Sequence, residues 1–160
     1  SFETARIGSV RNAIKRFLSE FSDREDGQAA GEDELQLAAA ALLFHVIAVD
    51  GVIAEAERQT LVQLLSRRFD LQPDEVGKLV RAAETADAEA IDLYGFTSVL
   101  KRRLEPAERE RLIGMMWQLV YADGTVDELE DNVVWRVSEL LGVSTRARVL
   151  LKKEADNRGG

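Results

Sequence analysis

Apolar side chains recur along this chain at spacings near three and four, which predicts a succession of helices. Phe2, Ile7, Val10, Ile14, Phe17, Leu18 and Phe21 mark an amphipathic amino-terminal helix with one apolar face. Ser22 to Glu34 is polar and acidic with two glycines, and reads as a flexible connector. Leu35 to Val49 is apolar nearly all round, the pattern of a helix buried on most sides. Pro73 to Thr85 and Asp87 to Leu104 read as two more helices, the second with Gly95 as a weak point. Leu112 to Ala122 again has full apolar girth, Pro106 suits a first helical position, and Ser144 caps a last helix. No segment alternates long enough to argue a strand. The expectation is an all-α fold: one helical domain of about seven to eight helices, divided into residues 1–21, 22–34 and 35–160.

One pattern occurs twice. Asp50-Gly51-Val52-Ile53-Ala54-Glu55-Ala56-Glu57 returns as Asp123-Gly124-Thr125-Val126-Asp127-Glu128-Leu129-Glu130, an offset of 73 residues. Each copy follows a strongly apolar helix and precedes a shorter amphipathic one, with Leu61, Leu64, Leu65 and Phe69 in the first half and Val133, Val134, Val137, Leu140 and Leu141 in the second. Beyond the motif the offset falls to 72, as Phe69-Asp70-Leu71-Gln72 meets Leu141-Gly142-Val143-Ser144. The repeat predicts two pseudo-symmetric helix-turn-helix halves.

Composition narrows the chemistry. The 160 residues contain no Cys, which excludes disulfides, thiolate metal sites and cysteine nucleophiles. No apolar run approaches the roughly 20 residues of a membrane span, and the amino terminus lacks the apolar core of a secretory signal, so a cytoplasmic address is expected. A net charge of −8 argues against a nucleic-acid surface and for cations or basic partners. The acidity lies in the middle. Residues 2 to 21 carry four basic and two acidic side chains, and residues 145 to 160 five and two. The basic amphipathic amino-terminal helix is therefore a candidate for peripheral contact with an anionic membrane or a partner groove, although such helices more often pack on their own domain.

The repeated motif coincides with the second half of an EF-hand calcium loop, where a glycine permits the turn and a final Glu binds bidentately. The first half is missing: Val46 and Ala48, then Leu119 and Tyr121, stand where the first and third ligands would be. Each turn is half a site. If the halves pack together, Asp50, Glu57, Asp123 and Glu130 converge and would hold a hard divalent cation (calcium, magnesium or manganese), with Glu55, Asp127 and Glu128 as further candidates. The competing reading makes these ordinary helix ends. Gly51 and Gly124 then terminate helices in the left-handed conformation and Asp127 and Glu130 form a capping box, while Ala54 cannot cap and leaves Glu57 only the helix dipole. His45, the sole histidine, reads as a core or edge residue, and Trp117, Trp135 and Tyr121 as core packing.

These turns, with Glu32-Asp33-Glu34-Leu35, the run Leu37 to Leu43, Asp92 to Leu100, Tyr121 to Gly124 and Val137 to Leu141, resemble the TerB-like family associated with bacterial tellurite resistance. The resemblance spans roughly residues 32 to 144. It implies an all-helical domain with internal pseudo-symmetry, an acidic metal site carried over onto Asp50, Glu57, Asp123 and Glu130, and work in stress responses to toxic oxyanions near membrane proteins. Direct chemistry on tellurite would need thiols or a redox cofactor, which this sequence does not supply. The expected function is a non-enzymatic cation-binding or sensing module with a protein partner. The alternatives are a purely structural interaction module and a metal-dependent hydrolase, the latter without a positioned general base.

Overall fold

The computed structural model describes residues 27–89, 92–122, 124 and 126–159. Among them are seven helices and no strand: α1 (Gly27–Ala48), α2 (Glu55–Phe69), α3 (Pro73–Ala88), α4 (Leu93–Arg103), α5 (Pro106–Val120), α6 (Glu128–Leu141) and α7 (Thr145–Gly159). The all-α single domain expected from periodicity is what forms. The amino-terminal helix expected over 2–21 lies outside the described residues.

The hydropathy of α1 dictates its place. Leu37 through Phe44, with Val46 and Ile47, are all buried, and α1 packs against α2, α3, α4, α5 and α6. The Ala38–Ala41 run keeps its surface thin enough for several neighbours to approach at once. The second apolar helix, α5, contacts α1, α2, α6 and α7 and buries Trp117 completely. No helix among the described residues is long and apolar enough to cross a membrane.

Two boundaries differ from the sequence expectation. Residues 27–34, expected within the acidic connector, are the first turns of α1. Their acidity is neutralised from another element: Glu34 accepts hydrogen bonds from Arg102 at 3.3 Å and Arg103 at 2.9 Å, at the basic carboxyl end of α4. Gly31 makes room for that pair, since a Cβ there would stand 2.7 Å from the Arg103 guanidinium. The second difference is the helix expected over Asp87–Leu104. Asp87 belongs to α3, and α4 starts only at Leu93, because buried Asp92 caps it by accepting the Gly95 N–H at 3.0 Å. Gly95 therefore sits in a capped first turn rather than at a mid-helix weak point.

The ends of α2 and α6 share one device at the offset of 72. Asp70 and Gly142 adopt left-handed conformations (φ 53° and 74°), and the next amides, Leu71 and Val143, donate to the carbonyls of Ser66 and Ser138 at 3.0 and 2.9 Å. This is a Schellman-type stop in both halves. Ser144 caps α7 as expected, accepting the Ala147 N–H at 3.1 Å. His45 joins α1 to α3 through a 2.7 Å contact between its Nδ1 and Asp87 Oδ1. Trp135 is only partly buried, and the Arg148 guanidinium, 3.5 Å from the ring centroid, covers its face.

Candidate metal centre

Both acidic turns begin with the same backbone reversal. Gly51 (φ 83°) donates to the Ala48 carbonyl and Gly124 (φ 85°) to that of Tyr121, each at 3.0 Å. A Cβ at either glycine would meet nothing within 4 Å, so the positive φ, rather than lack of space, requires glycine. Asp50 Oδ1 then accepts the Val52 N–H at 3.0 Å, a local Asx turn that holds its carboxylate at the mouth of the bend. Asp123, its counterpart in the sequence, lies outside the described residues.

The helices that follow are capped differently. Asp127 caps α6, its Oδ1 accepting the Leu129 N–H at 2.7 Å. Ala54 has no such group, but Glu57 is not reduced to a dipole interaction as the sequence suggested. Its Oε1 accepts the Ala54 N–H at 2.9 Å, because this half of a capping box needs only the backbone of the cap residue. Glu75 reaches back to the Gln72 N–H and Glu108 to the Glu105 N–H in the same way, at 2.9 and 3.1 Å. Glu57 is 3% exposed, and its buried Oε2 has no hydrogen-bond partner among the described residues.

One carboxylate oxygen from each of Asp50, Asp127 and Glu130 falls within 4.8 Å of the other two. The first copy of the motif thus contributes its leading Asp, and the second copy its fifth and eighth residues. Glu57 is not in this group, and exposed Glu55 and Glu128 are not either. Asp127, a secondary candidate in the sequence, is a central member. Its three-residue spacing from Glu130, about one helical turn, was the available signal that both carboxylates share a side of α6. Neither Asp50 nor Asp127 forms an ion pair among the described residues.

Local fields partly support this concentration of charge. The amino end of α6 carries a partial positive charge that favours Asp127 and Glu130, whereas Asp50 follows the carboxyl end of α1 and faces the opposite sign. Just before the second turn, burial raises the pKa of the Tyr121 phenol above its ordinary 10.0, opposed by Lys152 and reinforced by Asp156 and Asp131.

A family model described as Tellurite resistance protein TerB matches residues 36–153, which is well over half of the chain. The chain belongs to the TerB family. Both acidic turns of this TerB domain fall inside the match, as do α2 to α6 and most of α1 and α7. No curated protein and no solved structure shows significant similarity to the chain.

Proposed function

We propose that this TerB domain is a non-enzymatic module that binds or senses a hard divalent cation through Asp50, Asp127 and Glu130. The convergence of these three oxygens within 4.8 Å, drawn from two turns far apart in sequence, carries the reading. Three oxygens spaced equally about one calcium ion at 2.3–2.6 Å lie about 4–4.5 Å apart, close to the 4.8 Å within which this cluster falls. Magnesium, with oxygens at 2.0–2.1 Å, would need them about 3.5 Å apart in the same arrangement, a tighter cluster than calcium requires. Without a cation, each carboxylate pair at this separation repels by about 1–3.5 kcal/mol between bulk-water and near-surface dielectrics. A bound ion would reverse that sign and tie the α1–α2 turn to the start of α6. A cytoplasmic role in resistance to toxic oxyanions goes with this reading through the family; the metal would act as structural effector.

A second reading has its own support, because Asp50 and Asp127 each already satisfy a backbone N–H. In it the domain is an interaction module and the acids only shape turns. Calorimetry with calcium, manganese and magnesium on the wild type and on Asp50→Asn/Asp127→Asn separates the two. Asparagine retains the acceptor that each turn uses but removes the charge. The cation reading expects heats that vanish in the double variant, together with an ion-dependent rise in Tm. Ion at 100 times Kd would add about 2.7 kcal/mol to stability. Equal heats from both proteins, or a Tm indifferent to chelator, would leave only the second reading.

A further inference from the structure

The acidic cluster is bordered by side chains that have no business in water. Val52 is 71% exposed, Leu129 49% and Val126 40%. The cluster brings the three positions near one another: the Val52 amide is hydrogen bonded to Asp50, the Leu129 amide to Asp127, and Val126 directly precedes Asp127, so each lies within two residues of a member of the cluster. Exposed Glu55 and Glu128 begin α2 and α6 beside them. An aliphatic trio with an acidic centre and acidic flanks is complementary to a ligand that presents apolar and cationic groups together.

We infer that this face docks a basic amphipathic helix of a partner protein. Its aliphatic residues would rest on Val52, Val126 and Leu129, and its Lys or Arg side chains would meet the flanking Glu55 and Glu128. Helical docking is favoured over strand addition because the described residues contain no sheet edge for an extended peptide to extend. Charge sets the sign of the partner. The domain is strongly acidic, so an anionic helix would be repelled and a cationic one steered in. The inference uses the exposed trio and the acidic flanks, and it stands whether or not a metal ion occupies the cluster.

The test uses a fluorescent Leu–Lys peptide of about 15 residues, long enough to form a marginal helix, with Leu at i, i+3, i+4 and i+7. It is titrated into the full chain in chelator. A scrambled peptide of the same composition and a Leu–Glu peptide serve as controls. Val52→Ser/Leu129→Ser removes apolar contacts at exposed positions and retains every carboxylate, while Leu150→Ser alters an exposed apolar residue on α7. The expected result is saturable binding of the Leu–Lys peptide alone, weakened about tenfold or more by Val52→Ser/Leu129→Ser and unchanged by Leu150→Ser. Absence of binding at millimolar peptide, equal binding of the scrambled peptide, or equal affinity for wild type and Val52→Ser/Leu129→Ser would each overturn it. Equal weakening by Leu150→Ser would do so as well. Cation heats without peptide binding in the wild type refute this inference alone, and peptide binding without cation heats refutes the cation reading alone.

Discussion

Replacing Ala54 by Asp should stabilise the domain without any metal. Ala54 stands at φ −70° and ψ 148°, close to the −82° and 139° of Asp127, so the backbone at the start of α2 already has the geometry of a side-chain cap. In α6 that geometry lets Asp127 accept the Leu129 N–H at 2.7 Å, and the counterpart donor in α2 is the amide of Ala56. An Asp in place of Ala at a helix start typically gains about 0.5–2 kcal/mol. Glu55 and Glu57 already occupy the first turn, and repulsion from them removes a few tenths. The net expectation is about 1 kcal/mol, or roughly 2–4 °C in Tm for a domain of this size. Calorimetric melting of wild type, Ala54→Asp and Ala54→Asn in chelator measures it. Asn caps as well as Asp but adds no charge, so stabilisation by Asn alone would show that the acidic surroundings outweigh the cap. A Tm unchanged or lowered in both variants would refute the assignment of Ala54 as an uncapped helix start.

Three further outcomes follow from the same turns. Asp70→Gly should raise stability by about 0.5–1 kcal/mol in urea unfolding, because φ 53° strains a residue with a Cβ and Gly142 ends α6 in the same way. Gly51→Ala should lower it by about 1–2 kcal/mol although a Cβ there touches nothing, since the penalty is the left-handed backbone. Tyr121→Phe should matter only in alkali. The folded-state pKa of Tyr121 lies above 10.0, so its contribution is complete below that pH and is lost as pH rises through the folded value. Urea midpoints of the two proteins should therefore run parallel up to about pH 9 and separate above about pH 10, with the wild type falling faster.

The helices were legible because their apolar girth is a local property of sequence: α1 and α5 are apolar on most sides and are the two helices with the most neighbours. Charge is legible only together with its partner. Glu32, Asp33 and Glu34 look like a linker when counted alone, yet Glu34 meets Arg102 and Arg103 from nearly 70 residues away and α1 starts at Gly27. Asp87 to Leu104 reads as one helix because a capping Asp92 differs in sequence from an exposed one only by its burial, which depends on the packed domain. The reach-back of Glu57 is not legible from Ala54, whose side chain cannot cap, because the contact uses only the Ala54 amide.

The acidic site shows where repetition helps and where it stops. Equal motifs suggest that the same positions of both copies, Asp50 and Glu57 with Asp123 and Glu130, converge on one point. Among the described residues the cluster joins Asp50, the first residue of its copy, with Asp127 and Glu130, the fifth and eighth of theirs, while Asp123 lies outside them. Helix geometry gives a reason. The leading Asp hangs from the carboxyl end of a helix, whereas the later acids sit at the amino end of the next, and a helix end that repels anions gains when it faces one that attracts them. Crossing the copies thus sets the carboxylate of one bend against the amino end of α6, where the dipole offsets part of the repulsion that gathering three acids creates. A cation would have to remove only the remainder. On the proposed cation reading, such a site would tolerate emptiness and still respond to an ion, the property a sensing module needs.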